Sequence, residues 1–186
     1  MSNHILHTIA LRRKIAALLL LLLFTGAFLP TQAQQAPGRE YQVKAVFLYN
    51  FTQFVEWPPA AFNGNEPMVI GVLGENPFGN YLEETVSGEK VTGRKLVVRY
   101  YKEVKDIGNC HILFIGGSTK AKEAMAAVSG KHTLTVSDAD EFARSGGMIQ
   151  LYIEHNKVRF KINNTVAKGA GLTISSKLLR LADVVE

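Results

Sequence analysis

Cysteine is nearly absent from this chain. Cys110 is the only one in 186 residues, so no intrachain disulfide can form and no CxxC pair exists to hold zinc or run dithiol exchange. It opens the apolar run CHILFI, which predicts a buried, inert thiol. Histidines are few, and no HxxxH or HExxH spacing occurs, so no metal site is expected. Beyond residue 33 they are His111, in a strand, His132, and His155, in a turn. The GxGxxG fingerprint, the Walker lysine and the GxSxG elbow are all missing. Ser118, His132 and Asp138 could be drawn as a triad, but without the elbow any domain of this size offers such a trio. No catalytic role and no cofactor are expected.

An excess of one charge is missing too. The 21 basic and 16 acidic residues leave +5, which falls to +2 without Arg12, Arg13 and Lys14. Those three precede the apolar run 15–29 and the sequence PTQAQ. Basic, apolar and small residues in that order predict a secretory signal, residues 1–33, cleaved after Thr31-Gln32-Ala33 and before Gln34. The run is about 15 residues, short of the roughly 20 that a membrane span needs. No cysteine lies directly after it, which argues against a lipid anchor. The remaining cations are scattered, as in GRK at 93–95 and KAK at 120–122, and make no phosphate track. Nucleic acid is therefore not expected as a partner, and a periplasmic location is.

About 150 residues then remain, enough for one domain with a hydrophobic core, 39–186, behind a flexible leader, 34–38. Aromatics crowd one place, AVFLYNFTQFVEWPP at 45–59, with Phe47, Tyr49, Phe51, Phe54 and Trp57. The pattern predicts a helix over 40–57, stopped by Pro58 and Pro59. On a helical wheel Val43, Val46, Phe47, Leu48, Phe51, Phe54, Val55 and Trp57 cover roughly 200°. Base stacking would need interleaved cations, and Lys44 stands alone. A membrane-surface helix would need a basic polar face. The aromatics, Trp57 included, are thus expected to be core. Asn50 falls inside the apolar arc, which predicts a buried amide bonded to backbone groups.

Downstream, strands are predicted in PMVIGVLG, RKLVVRYY, CHILFIG and HTLTVSD, and in MIQLYIEHNKVRFKIN as a pair turning at His155-Asn156. Helices are predicted between them: at 75–88 capped by Asn76, at 117–130, at 138–147 with an Asp138/Glu141 capping box, at 164–171, and over 174–186. Ile174, Leu178, Leu181 and Val185 would share one face of the last. Alternating strands and helices imply a three-layer α/β/α sandwich, with a parallel-dominated mixed sheet and a late antiparallel hairpin. Ligands favour the crevice beyond the strands' carboxyl ends. Its candidate residues here are Glu75, Asn76, Gly116, Gly117, Ser118 and Asp138, although glycine at such turns also serves plain chain geometry.

Four stretches, VKAVFLYNFTQFVEWP, CHILFIGGS, LTVSDADEFARSGGMIQLYIEHNKVRFKIN and GLTISSKLLRLA, resemble in order the YfiR-like family of exported bacterial regulatory proteins. The resemblance implies an α/β/α sandwich and a periplasmic homodimer. It also implies an inhibitory partner role toward an inner-membrane diguanylate cyclase, through that enzyme's periplasmic sensor domain, with an outer-membrane lipoprotein as antagonist. A sensor histidine kinase is the alternative receptor. Some members carry disulfide pairs, and the solitary Cys110 removes that form of redox control here. Two classes of function follow: a regulator of a membrane receptor, and a periplasmic small-molecule binder using the strand-end crevice.

Overall fold

The computed structural model describes residues 37–117 and 120–185. The expected signal peptide, residues 34–36 of the leader, and Ser118 lie outside them. Helix α1, Pro37–Phe54, comes first. Proline costs nothing in a first turn, where its N–H would lack a partner, and Glu40 there suits the helix dipole. The helix therefore includes 37 and 38 of the expected leader. It also ends three residues before the expected 57. Val55–Glu56 instead forms strand β1, antiparallel to Thr173–Ile174, and the Phe54 carbonyl accepts from Ser175 N–H at 2.9 Å.

The buried face of α1 is narrower than its apolar arc. Lys44, Ala45, Leu48, Phe51 and Thr52 are buried, whereas Val43, Val46 and Phe54 stay 36–41% exposed. Phe51 and Phe47 meet Phe160 edge-on, at 5.7 and 5.3 Å between ring centres. Full burial of a side chain such as Leu48 or Phe51 contributes about 1.5–3 kcal/mol. Asn50 lies in the exposed half of the arc. It is half-buried, and the described hydrogen bonds include none from its amide, so the expected buried and bonded amide is not found.

The remaining strands are β2 (Met68–Leu73), β3 (Lys90–Val91), β4 (Arg94–Tyr101), β5 (Ile112–Ile115), β6 (Leu134–Ser137), β7 (Ile149–Glu154), β8 (Lys157–Asn163), β9 (Thr173–Ile174) and β10 (Asp183–Val185). Eight form one sheet in the order β10-β8-β7-β6-β5-β2-β4-β3. β4, β2, β5, β6 and β7 are parallel neighbours. β7 and β8 make the expected hairpin, antiparallel through Glu154↔Lys157, with His155 and Asn156 both at positive φ (46° and 63°) as a tight primed turn requires.

Strand side chains alternate between two cores. Ile70, Val72, Ile112, Phe114, Leu134, Val136, Ile149 and Phe160 pack under α1, helix α2 (Tyr81–Val86), helix α4 (Asn164–Gly169) and helix α5 (Ser176–Leu179). Val69, Leu73, Tyr101, Leu113 and Ile115 pack under helix α3, Ala121–Ala127. The molecule is the expected α/β sandwich with a mostly parallel sheet.

Three local expectations are corrected. Asn76 caps no helix. It closes a turn, its Oδ1 accepting from Phe78 N–H at 2.9 Å, and Gly79 at φ +57° delays α2 to Tyr81. Residues 138–147 form successive turns rather than a helix, and Glu141 sits at φ +57°. Sheet side chains satisfy this segment's backbone: Ser137 Oγ accepts from Ala139 N–H, Gln150 Oε1 from Ala143 N–H and Thr135 Oγ1 from Met148 N–H, while Asn163 Nδ2 donates to the Ala143 carbonyl. The last helix is only Ser176–Leu179, and β10 then runs parallel to β8, leaving Leu181 72% exposed.

Candidate functional site

The strand order reverses between β2 and β5, since the chain goes from β2 outward to β4 and returns on the other side as β5. The loops after those two strands adjoin. Gly116 N–H donates to the Leu73 carbonyl at 3.3 Å, and a Cβ on Gly116 would stand 3.6 Å from that oxygen and 3.8 Å from the Glu75 carbonyl. Glu75, Asn76, Gly116 and Gly117 are thus gathered at the switch point, all exposed. Gly117, at φ +75°, needs the freedom of glycine. Asn76 spends its amide on its own turn, donating to the Gly79 carbonyl at 2.8 Å. None of these four is among the lining residues of five cavities of about 200–310 Å³.

Asp138, the last candidate, faces α1. Lys44 Nζ lies 2.6 Å from Asp138 Oδ2 and 2.5 Å from Glu40 Oε1, and the Tyr41 hydroxyl donates to the same Oδ2 at 2.9 Å. Lys44 is only 3% exposed. Burial, then the negative charge and hydrogen bond of Asp138, push the Tyr41 phenol well above its ordinary pKa. This cluster joins the first turns of α1 to the end of β6, beside an open cavity of about 310 Å³ lined also by Asp140, Glu141 and Lys161. Sequence reasoning noticed Lys44 only as a solitary cation. The signal was its spacing: Tyr41, Lys44, Leu48, Phe51 and Val55 repeat at three and four residues, which sets the lysine in the middle of the buried stripe.

A second arrangement lies at the amino-terminal ends of the strands. A cleft of about 290 Å³ is lined by Ala61, Asn63, Cys110, His111, Lys131 and His132, among others. His111 is buried, stacked on Phe62 at 4.5 Å between ring centres, and its Nδ1 accepts from Val69 N–H at 3.1 Å. The neutral ring then carries its proton on Nε2, which no hydrogen bond completes. Burial, the largest cause, lowers this imidazole's pKa. Trp57 Nε1 donates to the His111 carbonyl at 3.2 Å, so Trp57 holds the edge of the same unit. Cys110 is buried, as expected, and burial pushes its thiol up to about 12 against the pull of Lys131.

His132 Nδ1 meets the Ala170 carbonyl at 2.8 Å, while Asp138 is taken by Lys44, so those two members of the paper triad serve separate elements. His155 is exposed in its turn. Among the described residues no three His, Cys, Asp or Glu side chains are grouped to hold a metal, and no helix is long and apolar enough to cross a membrane.

The comparisons with known proteins agree with this framework. The family model described as YfiR/HmsC-like matches residues 41–183. A conserved domain protein from Vibrio cholerae O1 biovar eltor superposes with a TM-score of 0.53 at 13% identity, over 78% of this chain and 60% of that one. An ABC domain from Streptococcus pneumonia, crystallised in complex with L-Trp, gives 0.50 at 12% identity, over 79% of this chain and 60% of that one. The chain spans about 60% of the length of these solved structures, and at such identities the likeness is one of fold. No curated sequence matches.

Proposed function

The chain belongs to the YfiR/HmsC-like family, and from that membership we propose that it is an exported regulatory protein. In this reading it binds the periplasmic sensor domain of an inner-membrane diguanylate cyclase and lowers its output. The observation that carries the reading is the family match, which runs through almost all of the described fold, 41–183. The family consists of regulators rather than enzymes, and the two charged or aromatic clusters of this chain suit that assignment. Lys44 is held between Asp138 and Glu40, the Tyr41 hydroxyl donates to Asp138, and His111 and Cys110 are buried. Neither cluster offers an activated nucleophile.

Inhibition by binding requires a preference for the receptor's inactive conformation, because only differential affinity moves a two-state equilibrium. Taking that equilibrium from 1:99 to 99:1 needs about 5.5 kcal/mol. A homodimer on a dimeric receptor would supply two linked contacts. The exposed apolar side chains Val43, Val46 and Phe54, which share one face of α1, support self-association of this protein. An outer-membrane lipoprotein would act as antagonist by sequestering it. The test is deletion of the gene with cyclic di-GMP and receptor phosphorylation both measured. A rise in cyclic di-GMP supports the cyclase, and changed phosphorylation alone supports a sensor kinase as receptor. If neither changes, the cleft of about 290 Å³ beside His111 favours the second reading, a periplasmic small-molecule binder.

A further inference from the structure

Residues 58–67 are lightly attached to the body of the protein. They include one tight turn, Pro59–Ala61, and end where β2 starts. Their described backbone bonds stay inside the segment. Ala61 and Phe62 N–H donate to the Pro58 and Pro59 carbonyls, and Glu66 N–H donates to the Asn63 carbonyl. Arg94 Nη1 supplies the described hydrogen bonds to the body, donating to the Gly64 carbonyl at 2.6 Å and the Glu66 carbonyl at 3.0 Å. Phe62 is half-buried and belongs to neither core. Its ring lies on the His111 imidazole, 4.5 Å between centres and 23° between planes, and the Arg94 guanidinium is also 4.5 Å from its centre.

The same imidazole closes the ladder between β2 and β5. Regular pairing begins at Ile70↔Ile112. One residue earlier, His111 N–H donates to the Val69 carbonyl at 2.9 Å, and Val69 N–H donates to His111 Nδ1 at 3.1 Å. A side-chain nitrogen thus takes the place of a main-chain carbonyl. An amide N–H can only donate, so Nδ1 is the acceptor and the neutral ring keeps its proton on Nε2. A second proton can enter only at Nδ1, where it would meet the Val69 N–H donor to donor. The imidazolium and this bond exclude each other.

The surroundings disfavour a cation while the segment is closed. Arg94 and Arg99 lie on the β4 side of the ring, Lys131, His132 and Cys110 on the cleft wall, and Glu66 on the segment. Burial is the largest influence and opposes a charged ring. Arg94 adds to it, and the Ala61 carbonyl and Glu66 work against them. The Phe62 face would attract a cation, but Arg94 already lies over that ring. Moving the segment away gives an imidazolium water, which relieves the largest of these effects. Histidine is the side chain whose charge ordinarily changes between about pH 5 and 8.

We propose that His111 is an acid-sensitive latch: a proton at Nδ1 breaks its bond to Val69 and frees residues 58–67 from the ends of β2 and β5. Release uncovers the imidazole and adds Phe62 to the surface, beside Trp57, whose Nε1 donates to the His111 carbonyl. This latch is independent of which receptor the protein binds.

The test is NMR of the ¹⁵N-labelled exported protein between pH 7 and 5. Expected is protonation of His111 Nδ1 on acidification, with amide order parameters at 60–66 falling along the same curve. Protection of Val69 N–H against exchange should fall at least tenfold more than that of Leu113, inside β5. His111→Asn keeps an oxygen that can accept from Val69 and does not titrate here. It should leave Val69 equally protected at both pH values and abolish the pH-dependent change at 60–66. Phe62→Ala, which removes the stack, should give the low order parameters already at pH 7. A His111 ring still neutral at pH 5, a segment whose order ignores that protonation, or an unchanged pH response in His111→Asn would overturn the proposal. Those outcomes leave the cyclic di-GMP test of the regulatory reading untouched.

Discussion

Lys44→Ala removes a buried ammonium and leaves Asp138, 14% exposed, with the Tyr41 hydroxyl as its remaining donor. Breaking a buried pair by deleting one partner costs about 3–5 kcal/mol, because the other charge is left uncompensated. Asp138 keeps Tyr41 and borders an open cavity, so the lower end applies, about 3 kcal/mol. In a domain of this size that lowers Tm by about 6–12 °C, at roughly 2–4 °C per kcal/mol. Asp138→Ala should cost less, since Lys44 retains Glu40 at 2.5 Å. A Lys44→Met/Asp138→Leu pair should recover part of the loss, as apolar replacement of both partners often does. The assay is urea unfolding at pH 7 with the slopes compared, so that a shifted midpoint reports stability. A Lys44→Ala protein within about 0.5 kcal/mol of the parent, the usual range for surface changes, would show that the buried pair does not hold α1 to β6. A larger cost for Asp138→Ala would show that Glu40 does not compensate Lys44.

Other consequences concern titrating and misplaced groups. With its thiol raised to about 12, Cys110 should label slowly with iodoacetamide at pH 8 in the folded protein and fast in urea; equal rates would mean an accessible thiol. Because that pKa is raised by folding, its contribution to stability is complete below the unfolded value near 9 and is lost as pH rises toward 12, a slope that Cys110→Ala should remove. His111 is shifted the opposite way for a base. The unfolded chain takes up the proton first as pH falls below 6.5, so stability declines there, and His111→Phe should flatten the decline measured by urea midpoints between pH 7 and 5. Asn50→Leu should change stability by less than about 0.5 kcal/mol, as at other solvent-facing sites, and a larger loss would show a hidden hydrogen bond.

Elements made by local pattern were legible in the sequence. The near-continuous apolar runs of β2 and β5 marked strands buried on both faces, and His155-Asn156 marked the hairpin. Elements decided by distant partners were not. Leu178 and Leu181 kept helical spacing, yet pairing with β8 drew Asp183–Val185 into a strand. Asp138 looked like a helix cap in its own neighbourhood, but a lysine 94 residues away claims its carboxylate. The aromatic helix was read correctly as an element and too generously as a core face, because a wheel cannot tell which half of a wide apolar arc meets solvent. Of the crevice candidates, Glu75, Asn76, Gly116 and Gly117 do meet where the strand order reverses, a consequence of α/β topology that needs no local motif.

Regulation by binding is a claim that intracellular cyclic di-GMP can decide. It should be measured in the parent strain, in a deletion strain, and in the deletion strain complemented with the exported protein. The claim predicts a rise on deletion and a return on complementation. Unchanged cyclic di-GMP, with the protein expressed and the cyclase present, would contradict it.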